Sequence, residues 1–240
     1  MRVRFRFTKI GKVRWTSHRD MARMWERAFR RVSLPLAYTQ GFSPRPRVSF
    51  GLALPTGAES DAEYLDVELD PKVTELDQHL PARLTPALPI GLDVTAMGSL
   101  EERVDSLQES VTSCTWVVDT AGAGSEELTV LVERALAAES LVIPRERKGR
   151  TADEDVRPGI LSCSVDGSRI ISELAAHPRT LRPSELLRAL GPDLEAADVR
   201  RTHQWIERDG ARREPLPLDA TGAPHAPELL LAGGQGVRAL

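Results

Sequence analysis

Arg2-Val3-Arg4-Phe5-Arg6-Phe7, followed beyond Gly11 by Ser17-His18-Arg19-Asp20-Met21 and the apolar positions Met24, Trp25, Ala28 and Val32, decides the fold. The first part alternates with period two, as a strand with one polar face does. The second recurs at helical spacing behind a serine cap, with Asp20 completing a capping box. Gly11 marks a turn between them, and Val13 to Trp15 read as a short returning strand. Further along, Leu34 to Tyr38 form a short apolar piece and Gly41-Phe42-Ser43-Pro44 a loop. Strands are expected at about 47–53 and 62–69, a helix near 72–84 and a strand near 91–97. The order is β-α-β-β-α-β.

The same order recurs. Thr112 to Asp119 read as a strand and Glu126 to Ala138 as a helix, followed by the apolar Leu141 to Ile143 and a basic loop containing Gly149. Strands at about 160–165 and 168–174 are joined by Asp166-Gly167, a two-residue hairpin signal. Pro183 opens a helix to about 190, and Val199 to Ile206 form the last strand. In each half a helix gives way to an apolar piece, a basic Gly-containing loop and an Arg-Pro dipeptide, Arg45-Pro46 and Arg157-Pro158. The expectation is an α+β chain of two tandem ferredoxin-like βαββαβ modules, a basic one over 1–105 and a second over 106–207. From 208 to 240 Gly, Pro and Ala predominate, and a disordered tail is expected.

Charge is segregated along the chain. The first fifty residues hold thirteen Lys or Arg against Asp20 and Glu26, and the rest hold nineteen basic and thirty-three acidic residues, within a net charge of −3. Such a field draws a polyanion to one end, with nucleic acid as the first partner class. Arginine outnumbers lysine twenty-eight to four, which a GC-rich genome explains as readily as phosphate recognition does. No apolar run approaches the roughly 18 residues of a membrane span and no signal-peptide stretch opens the chain, so a cytoplasmic protein with no membrane partner is expected. Cys114 and Cys163 lie in alternating apolar segments and read as buried small hydrophobes. No three-cysteine cluster offers a thiolate iron–sulfur site, and no cofactor is expected.

Three places could carry chemistry. Arg19, Arg23, Arg27 and Arg31 stand at successive i+4 positions of the first helix with Arg30 beside them, a ridge of like charge that a bound phosphate would relieve. The ordinary alternative is a solvated polar face. In the second, two prolines stiffen Arg45 while Tyr38 and Phe42 offer faces for base stacking; a rigid connector whose aromatics cap the core reads equally well. Arg145, Arg147, Lys148 and Arg150 occupy the corresponding loop of the second half, and pseudo-symmetry would bring both loops to one groove. The third is His18, a candidate general base for a ribose hydroxyl and otherwise a solvated first-turn residue. Glu59, Asp61, Glu63, Asp66, Glu68 and Asp70 alternate as a strand's polar face does, with a Mg²⁺ site the lesser reading. The histidines show no metal-ligand spacing, and no phosphate loop, dinucleotide fingerprint or nucleophile elbow appears.

The stretch from Lys9 to Asp20, Leu34-Pro35-Leu36-Ala37-Tyr38-Thr39-Gln40-Gly41-Phe42-Ser43-Pro44, Pro55-Thr56-Gly57 and Glu63-Tyr64-Leu65-Asp66-Val67 resemble a bacterial family. It is the radical-SAM-associated domain of unknown function, found behind cobalamin-binding-type radical SAM proteins or as a separate chain. The resemblance covers about residues 1–205. Arg19 stands where the family's Ser-His-Leu-Asp has Leu, a departure that favours an exposed ridge. The resemblance implies a radical SAM partner and a ribonuclease G/E context, and so points to RNA; it implies no reaction. The tandem layout is also similar to CRISPR repeat-processing endoribonucleases, at the level of fold alone. The expected function is binding of structured RNA, transfer or ribosomal, and its presentation to a separate radical SAM enzyme. One alternative is metal-free RNA cleavage or modification with His18 as base and Arg19 or Arg45 stabilising the phosphorane. Another is an adaptor whose basic head docks on the radical SAM protein.

Overall fold

The computed structural model describes residues 1–100, 105–147 and 149–216. The alternating opening stretch forms β1 (Arg2–Lys9), and the capped amphipathic stretch forms α1 (His18–Arg31). They are followed by β2 (Val48–Phe50), β3 (Glu59–Glu68), α2 (Leu80–Leu84) and β4 (Val94–Leu100). The second half contains α3 (Leu107–Ser110), β5 (Ser113–Ala121), α4 (Ser125–Ala137), β6 (Val142–Arg147) and β7 (Arg150–Asp155). Next come β8 (Ile160–Asp166), β9 (Arg169–Ala175), α5 (Pro183–Leu190), β10 (Glu195–Arg208) and β11 (Ala211–Arg213). No helix among the described residues is long and apolar enough to cross a membrane.

Nine strands make one sheet, ordered β4-β1-β3-β10-β5-β9-β8, with β2 also on β3 and β11 also on β10. The first half therefore reads fourth-first-third-second. With the separate β6–β7 hairpin set aside, so does the second. Neighbours are antiparallel except at the junction, where β3 and β10 run parallel over Arg200↔Glu59 and Arg201↔Ser60. Val3, Phe5 and Phe7 bury against Met21, Trp25, Ala28 and Phe29 of α1. Cys114, Trp116 and Val118 bury against Leu128 and Val132 of α4 and Leu186 of α5. Arg201 reaches Trp116 of the second core and Glu63, which alternates with the core residues Leu65 and Val67 of the first. The helices of both halves thus cover one face of the sheet.

Several local expectations need correction. Residues Gly11–Trp15 form a 3-10 turn in place of a returning strand. Gly11 takes φ +73 and bends the chain out of the ladder, and both the amide and the hydroxyl of Thr16 donate to Val13 O. The helix expected over 72–84 shrinks to Leu80–Leu84, because the carboxylates of Asp70 and Asp77 take the amides of Lys72 and His79 into turns instead. The basic loop around Gly149 is a hairpin: Arg147 pairs with Arg150 across a turn that Gly149 closes at φ +72. The disordered tail does not begin at 208. β10 runs through Arg208, β11 pairs back onto it, and Leu216 is buried with Ala62, Tyr64 and Leu107. Residues 217–240 lie outside the described residues. Arg4 is not half-exposed either: it is 1% exposed, held by Asp66 at 2.7 and 2.9 Å and donating to Pro215 O at 2.7 Å.

Candidate nucleic-acid interface

The alternating acids of β3 decide where positive charge remains. Asp66 binds Arg2 and Arg4, Glu68 binds Arg47, Glu63 binds Arg201, and Glu59 binds Arg200 at 2.5 Å and lies 3.6 Å from Arg14. Gly11 N also donates to Glu59 at 2.7 Å, and these bonds outweigh burial and hold that carboxyl below its usual range. The acidic run is thus a set of arginine partners, and no metal-ligating cluster occurs among the described residues. A good part of the basic head is neutralised within the fold. What stays exposed is the outer face of α1 and the loop that follows it.

Ser17 Oγ accepts the amide of Asp20, so the cap predicted from sequence forms, and the helix presents Arg19, Arg23, Arg27, Arg30 and Arg31 on its exposed side. They do not act as one row. Each i+4 step advances about 40° round a helix of 3.6 residues per turn, so Arg31 stands about 120° from Arg19. Arg31 instead donates to Ala87 O at 2.9 Å, and the exposed Arg27 is not part of the cleft lining described next. Arg19, Arg23 and Arg30, at i, i+4 and i+11, line a cleft of about 490 Å³ with Glu26 among them. Arg23 lies 3.5 Å from Asp20.

The cleft's opposite wall is the loop after α1. Tyr38 bridges to Pro46, Thr39 N donates to Arg45 O at 2.9 Å, and Arg45 N donates to Thr39 Oγ1 at 3.0 Å. These bonds fix a stiff hairpin-like loop that sets Tyr38, Pro44, Arg45 and Pro46 across from the arginines. Two separately nominated sites, the ridge and the loop, are one place. Phe42 is fully exposed at the loop's end and is not part of the cleft lining. Arg30 falls about 20° from Arg19 round the helix, a proximity that i+4 spacing does not show.

His18 lies elsewhere. Its ring meets Phe50 edge-on at 5.1 Å and lines a small recess with Lys9, Glu63 and Met21. That recess shares no residue with the cleft, so His18 lines a different place from Arg19 and Arg45. Lys9 is buried, donates to Thr16 O at 3.1 Å, and has its ammonium pushed below the usual lysine range chiefly by burial. Arg145 of the second half is not part of the cleft lining. Arg147 and Arg150 flank the β6–β7 turn, and Lys148 lies outside the described residues. Cys114 and Cys163 are free thiols and burial raises both, Cys163 to about 11; Cys114 is buried as expected, while Cys163 is only half-buried.

A family model described as "Uncharacterized protein conserved in bacteria (DUF2344)" matches residues 2–183, and the chain belongs to that family. No curated protein matches the chain.

Proposed function

We propose that this member of the bacterial family is a cytoplasmic protein that binds structured RNA in the cleft between α1 and the 38–46 loop. The observation that carries the reading is the convergence of Arg19, Arg23, Arg30 and Arg45 on one cleft with the half-exposed ring of Tyr38. Guanidiniums at this spacing take backbone phosphates, and an aromatic ring beside them takes a base or sugar face. Phe42 at the loop's end extends the stacking surface. Presentation of the bound RNA to a separate radical SAM enzyme completes the reading and rests on the family resemblance alone. The repeated fourth-first-third-second strand order, with helices on one face, supports reading the halves as two ferredoxin-like modules.

Binding of a labelled RNA hairpin across a salt series tests the site. The wild type is expected to give a log–log slope of about −0.7 to −0.9 per phosphate neutralised, with Arg23→Glu/Arg30→Glu binding more weakly and with a shallower slope. Arg27→Glu, outside the cleft, is expected to have a smaller effect. Equal losses from both variants would reduce the cleft to diffuse surface charge. No binding at low salt by the folded protein would end the RNA reading. Affinity capture with and without ribonuclease treatment tests delivery; if no radical SAM enzyme is retained in either arm, that half of the proposal falls.

A further inference from the structure

A second cavity, of about 300 Å³, lies at the junction of the two halves. Leu52 of the first half and Trp116 of the second both line it, as do four arginines: Arg145, Arg179, Arg182 and Arg201. Arg201 is 1% exposed and forms the deep end; Arg145 and Arg179 are 28% and 23% exposed, and Arg182 is open to solvent. No carboxylate belongs to the lining among the described residues.

The carboxylates that fix these guanidiniums lie outside the lining. Glu63 binds Arg201 at 2.5 Å. Glu185 binds Arg179 at 2.6 Å and Arg145 at 3.3 Å, while Glu154 binds the same two at 2.9 and 3.1 Å. The Arg182 guanidinium forms no ion pair among the described residues, while its backbone amide donates to Glu185 at 3.0 Å. A guanidinium carries five donors in a planar fork, so one held by a carboxylate keeps further N–H groups that can donate. The same Glu63 also faces the buried Lys9, so two buried cations share one carboxylate at the junction. The cavity wall itself carries four guanidiniums and no carboxylate, so an anion entering it would meet only positively charged side chains.

We infer that the junction cavity binds a phosphate monoester, whether on a small nucleotide-sized molecule or at the terminus of an RNA strand. A monoester carries close to two negative charges near neutral pH and accepts from several forked donors at once. The volume is at the lower end of ligand pockets, enough for a phosphate with a small organic group attached. The inference rests on the junction arginines and stands apart from the RNA reading of the α1 cleft.

Calorimetric titration of the full chain with ribose 5-phosphate and AMP, against ribose and adenosine, tests it. At least one phosphate ester is expected to bind at one site per chain while its phosphate-free counterpart does not. Arg182→Glu, at an exposed position, is expected to weaken that binding by about tenfold to a hundredfold, as loss of a charge-assisted bond does, with an unchanged thermal midpoint. Arg23→Glu/Arg30→Glu is expected to leave it unaltered, so failure here and failure of the cleft reading remain distinguishable. A 5′-phosphorylated oligoribonucleotide that outbinds its 5′-hydroxyl form, with the advantage lost in Arg182→Glu, would identify an RNA end as the source. Ester binding without that advantage would identify a small molecule. Binding of neither ester by the folded protein at low salt, or ester binding untouched by Arg182→Glu, would overturn the inference.

Discussion

His203 shows how a single side chain ties the sheet's far face to solution conditions. Its ring stacks on Trp205 with centroids 5.0 Å apart and planes 9° from parallel, and the Arg212 guanidinium lies 4.0 Å from the same indole's centroid. Burial lowers the imidazole's pKa; Arg6 and Arg212 reinforce the shift and Glu214 opposes it. A lowered folded-state pKa means that, on acidification through the ordinary imidazole range, the unfolded chain takes up a proton before the folded one does. Stability is then complete at neutral pH and declines as pH falls through that range. Urea midpoints measured between about pH 7.5 and about pH 5.5 are expected to fall for the wild type and to fall less for His203→Gln. Identical slopes would place the imidazole in an environment no different from water.

Elements are joined at points where only certain backbones fit. Gly91 takes φ +94 ahead of β4, and a Cβ there would lie 2.1 Å from Ile10 O, while Ile10 N donates to Gly91 O at 2.9 Å. The neighbour is backbone held in a hydrogen bond, so it cannot give way. Gly57 is as strained at φ +90, but its Cβ would meet the ring of Trp15 at 2.7 Å, and Trp15 is 64% exposed and free to swing. Gly91→Ala is expected to lose about 3 kcal/mol and Gly57→Ala about 1–2 kcal/mol, read from urea unfolding. Equal losses would mean that Trp15 is as fixed as a main chain. The same contrast between local and distant causes explains what the sequence disclosed. The period of Arg2 to Phe7, the serine cap and Asp166-Gly167 are local signals, and β1, α1 and the β8–β9 hairpin formed where they pointed. The burial of Arg4 was not legible, because it depends on Asp66 and Pro215, 62 and 211 residues away. The cleft was half legible: its residue types were evident, but which arginines face the loop follows from helical phase. Of the junction arginines only Arg145 stands out in the sequence, in the basic run before Gly149, because Arg179, Arg182 and Arg201 belong to segments that the sheet brings to it.

At the scale of the molecule, the two cores communicate through a narrow seam. The backbone pairing of β3 with β10 covers only Arg200↔Glu59 and Arg201↔Ser60. Side chains add Arg200 to Glu59, Arg201 to Glu63 and Leu52 O, Arg14 to Asp198 at 2.9 Å, Gln204 to Ala62 O at 2.6 Å and Arg4 to Pro215 O, while Ala58 is buried in the second core and Leu216 against Ala62 and Tyr64. Buried charge is one part of this coupling, and removing one partner of a buried pair costs about 3–5 kcal/mol because the other is left uncompensated. Arg201→Met leaves Glu63 facing only Lys9 and removes the donor to Leu52 O. Much of that loss falls on the contact between the cores and little within either one, since Trp25 and Trp116 sit in separate apolar clusters. Calorimetry is therefore expected to show one cooperative transition for the wild type and two for Arg201→Met, the lower well below the wild-type midpoint. A single transition merely shifted downward would mean that Arg201 stabilises the fold without coupling its halves. Two transitions already present in the wild type would mean that the halves unfold separately and the seam carries no cooperativity at all.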